Sequence, residues 1–449
     1  MAITYDEARH LLARTGFGVA EPADIQKLLP MSFEQAVDHL LDGVRTEPVT
    51  AVPEFAADPT ERKKVRRMNA EDRRDFNRRV NGDRKAMKAW WVGEMLATDS
   101  PLTEHLVLFW HNHFVSEGRK VRFGQWIHDQ NAIFRKYALG NFGKMLVKAS
   151  TDPAMLWYLD GHKNVKGKPN ENFAREVLEL FSMGEGRGYT EKDIREAARA
   201  FTGWTVDMDT GKFDFKLGRH DNHIKTVLGV DGNHDGMSVL RIILRRNEVA
   251  EFITEKLWLE FVSRGPDPRA VRELANGFRD SGYELKPLLR SLLLSKAFRD
   301  PANRGILVKS PVDLVIGTLR LFHFEQAPAV KAFWWQKNMG QELFDPPDVK
   351  GWRGHTAWLS STTALRREQF IRAVHRGLRA GRAAQNGRMM KAGPFGATNA
   401  ETLQAAFESE WERLPGLLLA AAPVMQRSTK GKGIKRLANL TLDPVYQLK

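Results

Sequence analysis

Residues 170–204, NENFAREVLELFSMGEGRGYTEKDIREAARAFTGW, decide how the rest of the chain is read. Phe173, Val177, Leu180 and Phe181 recur at i, i+4, i+7 and i+8, which lays one apolar stripe along a helix. The charges fall on other faces. Glu171, Arg175 and Glu179 form an i, i+4 ladder, with Asn172 and Glu176 in a row beside it. Gly184, Gly186 and Gly188 allow a tight reversal, because glycine tolerates positive φ. Thr190, with Asp193 three residues on, then caps a second helix that runs to about Phe201.

Working outward, the same helical period dominates. Thr4 with Glu7 and Ser32 with Gln35 mark helix starts in an amino-terminal helical segment, 1–45. A Pro- and Ala-rich linker, 46–60, leads to a basic helical segment, 61–100, whose second half is buried through Met87, Trp90 and Trp91. A central helical core, 101–245, holds residues 170–204. A carboxy-terminal helical scaffold, 246–380, is read as helices at Asn247 to Phe261, Asp267 to Asp280, Leu285 to Ser295 and Pro311 to Leu321. A basic, partly flexible tail, 381–449, ends the chain. Alternation appears only at Lys212 to Lys216. The expectation is a mainly α, multi-helix globular fold with one small β-hairpin after the central helix pair.

Totals narrow the function classes. With 449 residues, 42% apolar and 28% charged, the chain has ample core and the composition of a globular protein. The absence of cysteine excludes disulfides, thiolate metal sites and a thiol nucleophile. A net charge of +14 is concentrated in runs such as Arg62 to Lys88, with 12 Lys or Arg, and Arg366 to Lys391. Such runs serve either as solvated helix faces or as a polyanion surface. No secretion signal and no apolar run of membrane-spanning length is visible, so the direct reading is cytoplasmic.

Candidate chemistry centres on the charge ladder and on the polar segment beyond Trp204. Glu176 and Glu179 are candidate acid/base carboxylates; the competing account is an interdomain salt-bridge row. His220-Asp221-Asn222-His223, together with Lys225 and His234-Asp235, is the densest grouping of imidazole and carboxylate. His220 and Asp221 are therefore both candidate catalytic residues and candidate ligands for a divalent metal, although their spacing matches no established metal motif. Arg175, Asn172, Trp204 and Lys225 are candidate substrate contacts. Trp352 and Trp358 join them, from a Pro/Gly/Trp-rich loop at Met339 to Trp358. The string His111-Asn112-His113 ends an apolar helical run, where i and i+2 side chains diverge by about 200°. It reads as structural histidines near a helix end, with a cleft-lining role as the alternative, and not as a nuclease motif.

Several of these strings together resemble a large bacterial family catalogued as domain of unknown function 1800. They are Asn170-Glu171-Asn172, Ala174-Arg175-Glu176, Gly188-Tyr189-Thr190 and Thr202-Gly203-Trp204, and, further out, Trp110 to Phe114, His220-Asp221, Lys309-Ser310-Pro311 and Lys350-Gly351-Trp352. The resemblance covers nearly the whole chain. It implies a mostly helical bacterial protein, often encoded beside a secreted member of the alkaline-phosphatase and sulfatase superfamily, so export to the periplasm with such a partner stands beside the cytoplasmic reading. It carries no catalytic residues. Three functions stand as expectations: a hydrolase or lyase on an anionic or polysaccharide substrate; a non-catalytic binding or escort protein for the phosphatase/sulfatase-like partner; and a nucleic-acid binder, which rests on charge alone.

Overall fold

Capping chemistry sets where many of the helices begin. Reciprocal capping boxes open Tyr5–Thr15 at Thr4, Phe33–Asp42 at Ser32 and Glu191–Ala200 at Thr190. The computed structural model describes residues 1–324 and 327–449. Among them 22 α-helices alternate with short turns, and the only sheets are two antiparallel hairpins. The scaffold helices Asn247–Phe261, Pro268–Asp280, Leu285–Leu294 and Pro311–Leu321 match the periodicity closely.

The basic segment differs from expectation at its start. Two 3-10 turns, Pro59–Lys63 and Val65–Arg67, precede the long helix Ala70–Ala97. Asn69 defines that start, because its side chain accepts from the amides of Glu71 and Asp72. The second half is buried as expected, with Met87 and Trp91 fully enclosed.

The expected hairpin pairs β1 (Trp204–Asp207) with β2 (Lys212–Phe215), Trp204 opposite Phe215. A second hairpin, β3 (Lys225–Val227) with β4 (Val230–Gly232), is additional to the expectation. Its strands are too short to show alternation. Its two-residue turn places Leu228 at φ 51° and Gly229 at φ 80°, the left-handed pair that suits a twisted hairpin.

One continuous apolar core runs from the first helix to the last residues, with Trp91, Trp110, Trp126 and Trp258 fully inside. At the far end, Leu307 and Lys449 exchange backbone hydrogen bonds of 3.3 and 2.8 Å, and buried Tyr446 meets the Thr318 hydroxyl at 3.1 Å. Among the described residues, no helix is long and apolar enough to cross a membrane.

Candidate active site

The first helix of the central pair, Glu171–Leu178, does not stop at the glycines but widens into a π-helical turn, Glu179–Met183. Such turns are uncommon and recur at functional sites. Carbonyls in a last turn lack intrahelical donors, and here the Phe181 carbonyl lies 3.0 Å from Nε2 of His113. His113 is fully buried, and burial first, then the charge of Lys256, holds its imidazole well below the ordinary value. Neutral and donating through Nε2, it supports the widened turn.

The neighbouring residues of the same helix end do different work. Asn112 holds the backbone of Trp352, accepting from its N–H at 2.7 Å and donating to its carbonyl at 3.2 Å. His111 is enclosed by Trp91, Phe344 and Trp352, and burial brings its pKa down to about 3. His111, Asn112 and His113 thus meet different surroundings, the first two both against Trp352 and the third at Phe181.

Asn112 positions Lys350. Its ammonium pairs with Glu185 at 2.8 Å, just beyond the π turn, and also feels Glu179 and Asp348. Its charge is also felt by Glu176, half-buried, with no hydrogen bond or ion pair to its carboxyl among the described residues. Burial first, and then the neighbouring Glu179, push the Glu176 carboxyl up to about 7, against the opposing charges of Arg175 and Lys350. Glu179, one turn on, accepts from Arg175 at 3.2 Å. Tyr158 stands on the other side, its hydroxyl pushed up to about 12 by burial and by Glu117, Asp348 and Glu176. Two carboxyls one helical turn apart therefore have unlike surroundings, one free and partly desolvated, the other bound to a guanidinium.

The remaining sequence candidates separate into three places. Arg175 is the centre of the ladder, bonded to Glu191 at 2.7 and 2.9 Å and to Glu171 at 3.4 Å, while Asn172 is exposed. His220, Asp221 and Lys225 form a closed knot of their own. Asp221 is held by Arg199 at 2.8 Å, Lys225 Nζ donates to the carbonyls of Asp221 and His223, and buried His220 sits 2.9 Å from the Thr202 carbonyl through Nδ1. Among the described residues, no hydrogen bond or ion pair links this knot to Glu176 or Glu179. Nor is any group of three or more His, Cys, Asp or Glu placed to hold a metal ion. His220 and Asp221 do not fit a divalent cation, since the carboxylate is taken by Arg199 and the imidazole Nδ1 by a backbone carbonyl. Trp204 is 3% exposed and packs among Phe173, Phe201 and Phe213.

Trp352 and Trp358 line a small cavity of about 80 Å³ on the opposite side of the Lys350 loop. A hydrogen bond between His105 and Glu260 at 2.8 Å and an ion pair between Lys449 and Asp313 at 2.9 Å build its polar wall. His105 Nδ1, Asp313 Oδ1 and Trp352 Nε1 are buried there without a hydrogen-bond partner, the first two facing each other at 3.8 Å. Sequence reasoning singled out neither His105 nor Lys350 as a site residue. Lys350 belongs to the Lys350-Gly351-Trp352 string, a signal that was present; His105 lies on a largely apolar helix outside any such string.

The chain matches the family described as "Protein of unknown function (DUF1800)" over residues 10–443. No curated protein and no solved structure gives a match.

Proposed function

Starting from a chain that belongs to the DUF1800 family of unknown function, we propose that it is a hydrolase acting on a polysaccharide, with Glu176 as general acid and Glu179 as its partner carboxylate. The observation that carries this reading is a half-buried Glu176 carboxyl with no bonding partner beside a second carboxyl, Glu179, that Arg175 holds; burial pushes the first up to about 7. A pair of carboxyls driven apart by environment is the usual means of dividing acid and base roles at neutral pH. Glu176 would protonate the glycosidic oxygen as the carbon–oxygen bond breaks. Glu179, oriented by Arg175, would meet the anomeric carbon directly or through water.

The surroundings bear on substrate. Around Glu176 the carboxylates of Glu179 and Glu185 are matched by the cations of Arg175 and Lys350. Half-buried Tyr158 and Tyr189 supply amphipathic surface suited to a sugar ring. The test is reducing-end release from a panel of neutral and acidic polysaccharides. Wild type should be active, with an alkaline limb near pH 7, and Glu176→Gln and Glu179→Gln should each lose at least about 100-fold. A folded Glu176→Gln variant with full activity would overturn the assignment.

A second reading, binding or escort of a phosphatase/sulfatase-like protein, is favoured by one observation. The segment joining the hairpins exposes Leu217 (65%) and Ile224 (72%). Co-purification with such a partner, lost in Leu217→Asp and Ile224→Asp, would support it; retention of the complex by both variants would remove it.

A further inference from the structure

The helix Tyr5–Thr15, the segment leading into Pro311–Leu321 and the turn Pro444–Gln447 meet at a narrow cleft of about 20 Å³. Arg9, Lys309, Gly317, Leu418 and Tyr446 are among its walls. Those walls are fixed. Gly317 lies so close to the Phe17 carbonyl that a Cβ there would collide with it. Both backbone groups of Lys309 are bonded, its N–H to the Gln447 carbonyl and its carbonyl to Arg367, each at 2.8 Å. Lys309 opens the Lys309-Ser310-Pro311 string, to which the hydrolase reading gives no work.

Two cations line this cleft without a counter-charge. Arg9 is 6% and Lys309 7% exposed, and among the described residues neither side chain forms an ion pair or a hydrogen bond. Lys309 Nζ has only the face of the Tyr446 ring, at 3.8 Å from its centre. Arg14 Nε and Arg367 Nε are fully enclosed, whereas no side-chain nitrogen of Arg9 or Lys309 is, so both groups can be reached. The carboxylate that Lys309 feels, Asp313, is already committed, its Oδ2 accepting from Lys449 Nζ and from the Ser310 amide, both at 2.9 Å. Burial brings Lys309 down to about 7; Asp313 opposes this, and Lys449, Arg9 and Arg367 add to it.

A guanidinium keeps its charge, and a buried charge left without a partner is costly. Water would satisfy the N–H groups but leave two like charges unopposed. An anion between them satisfies both, and about 20 Å³ admits one species little larger than a water molecule. That size excludes a phosphate or a sugar acid.

We propose that Arg9 and Lys309 together hold a small inorganic anion, of the size of chloride, that ties the first helix to the turn Pro444–Gln447. The site shares no residue with the surroundings of Glu176, so it stands independently of the hydrolase reading.

Thermal melting of the full chain in sodium chloride against sodium gluconate, at equal ionic strength, provides the test, since gluconate is too large for the cleft. The gain from chloride should be at least about 1 °C greater in wild type than in Arg9→Gln or Lys309→Met. Taking the gain within each protein removes general salt effects, and Lys309→Met deletes a buried charge and should fold. The surplus should also shrink between about pH 6 and about pH 9, because the anion favours protonated Lys309, which loses its proton in that range. Arg9 stays charged there, and burial holds the Tyr446 hydroxyl above its ordinary value. An equal gain in wild type and either variant, or a surplus undiminished at the higher pH, overturns the proposal.

Discussion

Asn112 grips Trp352 by both backbone groups, at 2.7 Å to its N–H and 3.2 Å to its carbonyl, across 240 residues of sequence. The amide has the donor and acceptor needed to copy a strand neighbour without any strand. Through it, the end of one helix fixes the loop from which Lys350 pairs with Glu185 and Trp352 lines the His105 cavity.

Gly351 belongs to the same clasp. At φ +79° a Cβ there would lie 2.2 Å from Asn112 Oδ1 and 2.8 Å from the Asn112 carbonyl. Gly351→Ala is expected to cost about 1–3 kcal/mol, from both the left-handed conformation and the displaced amide. Urea denaturation measures it; a change within experimental error would mean that the clasp contributes nothing to stability.

His113→Phe keeps an aromatic ring, a somewhat larger one, but removes the donor to the Phe181 carbonyl. The expected loss is about 1–3 kcal/mol, the cost of leaving a buried acceptor unpaired. Hydrogen exchange should rise locally at Glu179–Met183, and a uniform rise along the chain would instead indicate global destabilisation.

Glu176→Gln separates charge from shape. The folded pKa, about 7, lies above the ordinary 4.5, so wild type gains from the proton at low pH and loses that gain as pH rises through 7. The variant should therefore melt higher than wild type at pH 8 and alike at pH 4. A difference that stays constant across this range would show that burial is not shifting this carboxyl.

Asp221 has the opposite sign. Although burial opposes it, the Arg199 guanidinium and the His223 amide hold its carboxyl well below the ordinary 3.8. Its contribution is full above that pH and is lost as pH falls below it. Asp221→Asn should cost about 1 kcal/mol at pH 7, given solvent screening. The gap should narrow as pH falls below 3.8, measured by thermal melts from pH 7 down to 2.

Sequence periodicity and capping were sufficient for the helical class, for the capping boxes at Thr4, Ser32 and Thr190, and for the hairpin at Lys212, because those signals act over three to five residues. The Glu171, Arg175 and Glu179 ladder was legible for the same reason. The extension of that helix into a π turn was not, since it depends on His113 arriving from another helix to take the Phe181 carbonyl. Only tertiary structure separated Glu176 from the His220 and Asp221 knot, turned Trp204 into core and paired Lys350 with Glu185. A residue's local pattern fixes its backbone and the face it shows; desolvation and charge at a side chain are set by neighbours that chain folding alone selects.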